Sequence, residues 1–322
     1  MSSGKLLYRD EVQAADGATY SCDKVQLCFR LRMGECQTLL DALAAQGWFE
    51  FEHWTSYRSG TYRNQFRILS GDGARSYWLG VGLAVYGKSR LADACKLEYN
   101  PNKVGGERSL LWLLRCLWQR ARLVEPCTIK QWDLACDWPH PREWYSLRKD
   151  ARLYEEHRRS STDRTQYVGA RNAPGRCKLY NKQAESDLAD PLTRLEITVP
   201  GLARAPQVAA MWPVVYRLQD VQGSAEIAAL NDTDRFIFAT LLDAPDRLNE
   251  LGRRKRDKMA ALLEKSGYRV PFDPAAYDGV LRAVMRWGER PAADPQGRDL
   301  PRWDWPGYDP EFQPTCVWPD ET

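Results

Sequence analysis

The chain has 322 residues, enough to bury one large core or two modest ones. Hydrophobic residues make up 43% and charged residues 28%, ordinary for a soluble globular protein. No run of 18 apolar residues occurs and the N-terminus lacks the apolar stretch of a signal peptide, so no membrane span and a cytoplasmic location are expected. The formal net charge of +3 conceals an asymmetry. Residues 294–322 carry −5, which leaves +8 on residues 1–293 and suits a nucleic-acid partner. Nine cysteines show no C-x-x-C pair, which fits reduced thiols. His53, His140 and His157 have no ligand spacing, so any metal would be held mainly by carboxylates, the donor set of Mg²⁺ or Mn²⁺.

In chain order, residues 19–33 alternate in the strand manner. Gln37 to Gln46 reads as a short helix ended by Gly47. Trp48 to Tyr86 is strand-rich, with Gly80-Val-Gly82 read as a strand turn, and Lys96-Leu-Glu98-Tyr is another strand. Ser109 to Leu123 places Leu110, Leu113, Leu114, Leu117 and Trp118 at helical spacing. Thr128 to Trp138 reads as a strand, and Pro141 opens a helix expected to run to about Arg159. Strands follow at about 165–169, 176–182 and 193–199. Beyond Pro200 the helical candidates are Ala205 to Val221, Thr233 to Leu242 and Asp246 to Lys265, the last carrying Arg253-Arg-Lys-Arg256. The irregular interleaving predicts an α+β fold, a largely antiparallel central sheet flanked by helices, with a helical C-terminal region. The expected division is 1–204, a catalytic domain; 205–290, a helical DNA-binding or accessory region; and 291–322, an acidic tail rich in Pro and Trp.

Three carboxylates, Glu98, Asp133 and Glu196, sit within alternating apolar strands, where charge is costly unless compensated. They are candidate ligands of one divalent ion, with Asp137, of the same parity as Asp133, as a competitor. Tyr180 precedes Lys182 by two residues, so on a strand both face one side. A lysine there eases ionisation of the phenol and neutralises phosphate. Tyr167 is the rival nucleophile, beside Gly169, which permits close backbone approach. Lys103, Arg171, Arg176, Lys178 and Arg194 are candidate phosphate-positioning cations. The competing assignment for each is a core tyrosine, an edge-strand acid or a solvated charge. No G-x-x-x-x-G-K-[ST] loop, G-x-S-x-G elbow or H-E-x-x-H motif is present.

Four stretches in order resemble the rolling-circle replication initiators of filamentous phages and plasmids. They are Lys96-Leu-Glu98-Tyr-Asn-Pro-Asn-Lys103, Gln131-Trp-Asp133-Leu-Ala-Cys-Asp137, Thr165-Gln-Tyr167-Val-Gly169-Ala-Arg171 with Lys178-Leu-Tyr180-Asn-Lys182-Gln-Ala-Glu185, and Arg194-Leu-Glu196. The likeness covers roughly residues 95–200. It implies a metal-dependent, strand-specific nick at a replication origin, in single-stranded or supercoiled duplex DNA. A tyrosine becomes joined to the 5′ phosphate and later rejoins the strand. Tyr180 matches the family's Y-x-K tyrosine, with Lys182 as its helper, and Glu98, Asp133 and Glu196 take the place of metal ligands for Mg²⁺ or Mn²⁺. Asn181 departs from the aspartate of many plasmid members. A host helicase or polymerase is a candidate partner, and the acidic tail a candidate docking segment. Two other functions fit the same residues: a non-catalytic origin-binding or repressor protein, and a conjugative mobilisation relaxase.

Overall fold

The computed structural model describes residues 11–47, 50–54, 62–69, 73, 75–83, 93–105, 107–158, 164–217, 229–243, 245–265 and 269–289. The expected acidic tail, 291–322, lies outside them. Its strands in chain order are β1 (Val12–Gln13), β2 (Thr19–Arg30), β3 (Phe51–Trp54), β4 (Tyr62–Leu69), β5 (Ser76–Leu83), β6 (Ala94–Tyr99), β7 (Cys127–Trp138), β8 (Tyr145–Leu147), β9 (Tyr154–Arg158), β10 (Arg164–Val168), β11 (Cys177–Asn181), β12 (Thr193–Pro200) and β13 (Val215–Arg217). The helices are α1 (Glu35–Ala45), α2 (Pro101–Val104), α3 (Arg108–Arg120), α4 (Lys182–Ser186), α5 (Ala205–Met211), α6 (Asp232–Asp243), α7 (Arg253–Lys265) and α8 (Pro274–Trp287). The fold is mixed α+β and its sheet pairing is antiparallel, as the sequence predicts. None of the described helices is long and apolar enough to cross a membrane.

The chain packs as two units, with boundaries inside β2, β7 and α8. The first contains Cys22–Trp132 and the chain from Leu281 onward. Its strands run β3-β4-β5-β6-β2, and its core includes Leu27, Phe29, Leu79 and Leu97 from the sheet. Helix α3 buries the expected Leu110, Leu113, Leu114, Leu117 and Trp118, and Trp118 meets the Phe29 ring edge to face at 5.3 Å. Gly80 is not in a turn but inside β5. A Cβ there would lie 2.5 Å from the Trp78 ring and 2.7 Å from that of Tyr62.

The second unit contains Glu11–Ser21 and Asp133–Val280, so the sequence-based boundary at residue 204 falls within it. The Asp133–Trp138 part of β7 leads a sheet ordered β7-β12-β11-β10-β9, and β8 pairs with β13. A separate apolar cluster of Tyr216, Phe238, Leu241, Leu248, Met259 and Leu263 holds α6 and α7.

Three expected helices are corrected here. Pro141 opens only a 3-10 turn, Arg142–Trp144, before β8 and β9. The Asp150 carboxylate accepts from the Arg152 backbone N–H at 2.8 Å, a local bond that competes with a helix, and β9 finds five partners along β10. The helix beginning at Ala205 stops at Met211, because Pro213 forces Trp212 into an extended conformation (φ −61°, ψ 128°). The segment from Asp246 becomes a 3-10 turn (Pro245–Glu250) and then α7, which begins after Gly252. Helix α8 was not expected. Its start is written in Asp273-Pro274: the Asp273 carboxylate accepts from the N–H groups of Ala275 (2.9 Å) and Ala276 (3.0 Å), and Pro274 takes the first helical position.

Asp273 also accepts from the Ala15 N–H at 3.0 Å, so it ties β1's neighbourhood to α8. Asp273→Ala should lower stability by about 1–2 kcal/mol in urea unfolding, the worth of a helix cap. An unchanged midpoint would show that the cap contributes nothing.

Candidate active site

The register of the second unit's sheet places the expected residues on one face. Tyr167 pairs with Lys178, Lys178 with Glu196, and Tyr180 with Arg194. Side chains alternate along a strand, so Arg176, Lys178 and Tyr180 point one way with Tyr167, Arg194 and Glu196. On β7, Asp133 accepts from the Thr198 hydroxyl at 2.9 Å, and Asp137 accepts two bonds from the Arg194 guanidinium, each at 2.6 Å. Both β7 acids therefore share that face, as their parity predicts.

Tyr180 is the centre of the arrangement. Its hydroxyl donates to Glu196 Oε1 at 2.5 Å and lies 3.1 Å from Glu185 Oε2. Lys182 Nζ donates to the same Glu185 oxygen at 2.5 Å, and Lys178 Nζ reaches the other at 3.5 Å. Lys178 Nζ stands 3.6 Å from the Tyr180 ring centroid and Lys182 Nζ 5.8 Å. Burial, and then the Glu196 charge, push the phenol well above its ordinary range, while Arg194 pulls it down. Burial also raises the Glu185 carboxyl, but the Lys182 hydrogen bond and the two lysine charges outweigh it and hold the group at about 2.

Local folding explains how Lys182 arrives there. It is not on the strand: β11 ends at Asn181, whose side chain accepts from the Ala184 N–H at 3.0 Å and caps α4. Lys182 is thus the first helical residue. Glu185, three residues on, falls on the same side of the turn. Asn181 is a capping residue in this chain.

The opposite face of these strands is a buried polar network. Arg142, 1% exposed, donates to the Tyr145 carbonyl (2.6 Å), to Gln166 Oε1 (2.8 Å) and to the carbonyl of Leu179 (3.4 Å), the residue before Tyr180. Gln166 also accepts from the Leu147 N–H at 3.0 Å and donates to the Tyr154 hydroxyl at 2.8 Å. Burial, then the Arg164 charge, lower the Arg142 guanidinium to about 9. The sequence carries no signal for this residue beyond its place after Pro141.

The remaining expected residues are distributed as follows. Glu98 belongs to the first unit and pairs with Lys96 at 3.1 Å. Lys103 is also in that unit, on α2, whose start is capped by Asn100. Arg171 is exposed in the turn after β10. Arg176 is half-buried, its guanidinium 4.9 Å from the Tyr167 ring centroid. Gly169, at φ +100°, does permit a close approach, but by the Arg176 backbone: a Cβ would lie 3.0 Å from Arg176 Cα. Among the described residues no group of three or more His, Cys, Asp or Glu is placed to hold a metal ion. The eight described cysteines are free thiols. Glu185 closes the Lys178–Glu185 stretch of the resemblance but is not among the candidate ligands read from the sequence; the structure brings it to the Tyr180 hydroxyl.

No family model matches the chain. No curated protein matches it either. Among solved structures it is similar to a rolling circle replication initiator protein from Geobacillus stearothermophilus, at 14% identity and a TM-score of 0.36, over 77% of this chain and 97% of that one.

The Arg194–Asp137 pair is largely out of water, with side chains 9% and 14% exposed. Removing one partner strands the other charge. Arg194→Ala should therefore cost about 3 kcal/mol in chemical denaturation, whereas exposed Arg171→Ala should stay within about 0.5 kcal/mol. Equal effects would contradict the buried pair.

Proposed function

We propose that the chain nicks one strand of DNA by transesterification, with Tyr180 as nucleophile, and that this nick starts rolling-circle replication of a phage, plasmid or integrated element. The observation that carries the reading is the Tyr180 hydroxyl, bonded to one carboxylate at 2.5 Å, close to a second, and flanked by two lysines. A core tyrosine has no use for such a set. The order of the motifs along the chain adds to it.

In the proposed step Tyr180 Oη attacks the scissile phosphorus. The Oη–P bond forms, the P–O3′ bond breaks, and the phenol proton passes to Glu196, which already accepts it. The departing 3′ oxygen takes a proton from solvent and becomes the 3′ hydroxyl that a polymerase extends. Lys182 and Lys178 stand where they offset charge on the non-bridging oxygens. Reversal of the same step rejoins the strand.

A divalent ion, Mg²⁺ or Mn²⁺, belongs to this reading. Glu185 and Glu196 both approach one phenol oxygen, an all-oxygen donor pair of the kind Mg²⁺ uses together with substrate phosphate. Glu185 and the second oxygen of Glu196 would hold the ion, with Glu196 kept from the expected trio and its Oε1 left to take the phenol proton. Bound there, the metal would polarise the phosphate and offset the developing charge. Residues 1–204 would serve the chemistry, 205–290 assist in DNA binding, and the acidic sequence 291–322 meet a host helicase or polymerase.

The test mixes protein with supercoiled plasmid carrying the DNA that flanks its own gene, with Mn²⁺ and with chelator. Wild type should convert it to the nicked form with protein attached, and Tyr180→Phe should fall to background. Lys182→Ala should slow the nick about 10²-fold. DNA binding without a nick under any condition would make the chain a binder. Because the phenol stays protonated and Glu196 serves as acceptor, the rate should not climb tenfold per unit between about pH 6 and 9. Such a climb in the pH–rate profile would mean that free phenolate attacks instead.

A further inference from the structure

Tyr167 and Tyr180 share a sheet face but not an environment. The Tyr180 hydroxyl meets two carboxylates, whereas the Tyr167 hydroxyl makes no hydrogen bond among the described residues. It has no proton acceptor within bonding distance there, which a phenol nucleophile requires. What Tyr167 presents is its ring. The ring is half-buried, the Arg176 guanidinium lies 4.9 Å from its centroid, and the exposed His157 ring meets it edge to face at 5.8 Å and 79°. A ring packed against a cation and a second ring is restrained, and its partial exposure leaves it within reach of unpaired nucleobases, which stack on such rings.

Its position ties this surface to the chemistry. Tyr167 is opposite Lys178, and Tyr180 is two residues further along β11 on the same face. Diagonal neighbours of this kind lie about 7–8 Å apart, the scale of the reach from one phosphate to the adjoining base of an extended strand. Arg176, Lys178 and exposed Arg171 supply charge that complements the backbone of the same strand.

Resting on the nicking reading above, we propose that Tyr167, braced by Arg176 and His157, is a stacking platform for one unpaired base of single-stranded DNA beside the scissile phosphate. The ring carries this role and the hydroxyl does not.

The experiment compares wild type, Tyr167→Phe and Tyr167→Ala by fluorescence anisotropy with a labelled short dT oligomer and with an abasic chain of the same length. It also scores each variant for covalent adduct on the plasmid substrate. Tyr167→Phe should bind the dT oligomer within about twofold of wild type and form the adduct, whereas Tyr167→Ala should bind it about tenfold or more weakly. Tyr167→Ala should bind the abasic chain as wild type does, because no base remains to stack. Arg176→Lys, which keeps the charge but loses the planar brace, should weaken dT binding in the same base-dependent way. Equal binding by the Ala variant, equal losses on both oligomers, or loss of adduct in Tyr167→Phe would each overturn the platform. Loss of adduct in Tyr167→Phe would also show it to be the nucleophile. Failure of the nicking reading is separate: wild type would then form no adduct, whatever the oligomers report.

Discussion

The contact between the Tyr180 hydroxyl and the Glu196 carboxylate, at 2.5 Å, is the constraint around which the second unit's sheet is organised. A nearly buried phenol beside carboxylates is held strongly in its protonated form. A phenol held in that form is a weak nucleophile. It becomes reactive only when something accepts its proton while something else offsets the charge that appears on phosphate. In the proposed reaction Glu196 would answer the first need, and Lys178, Lys182 and a divalent ion held at Glu185 would answer the second. Three devices hold these four groups. Strand register places Lys178 and Glu196, a capped helix start places Lys182, and the i, i+3 interval brings Glu185 back to it.

Precision at that hydroxyl depends on what lies around it. The Asp137–Arg194 pair fixes the strand pair on the active face, and Arg142 with Gln166 fixes the far face of β11 by bonding to Tyr145, Leu147 and Leu179. Buried polar networks of this kind are expensive unless satisfied; the cost is offset here by several bonds to Arg142 and Gln166, with Arg142 Nε the one atom of the pair left unbonded among the described residues. The network leaves Tyr180 on a braced strand end rather than a loop.

Much of this was readable in the sequence. Strand β12, with its alternating burial, β7, whose residues 132–136 are buried on both faces, and α3 with its leucine stripe lie within a few residues of where their apolar patterns put them. The shared face of Asp133 and Asp137 followed from parity alone. Reading failed where a local bond defeated a periodic pattern, as at Asp150–Arg152, and where a proline two residues ahead ended α5. The Asp273-Pro274 start of α8 was present in the sequence but lay outside any strongly apolar run. At the site, residue types were legible and pairings were not. Arg194 is next to Glu196 in the motif, yet its guanidinium is committed to Asp137, a partner 57 residues away that no spacing rule connects. Glu98 belongs to a different unit from Tyr180 and Glu196, and linear order carries no information about that.

Mass spectrometry of the covalent protein–DNA adduct after nuclease and protease digestion decides whether Tyr180 is the attacking residue. The expected result is a nucleotide joined through its 5′ phosphate to the peptide containing Tyr180, and to no other tyrosine. A nucleotide on the Tyr167 peptide, or nicked DNA whose 5′ phosphate is free, would contradict it.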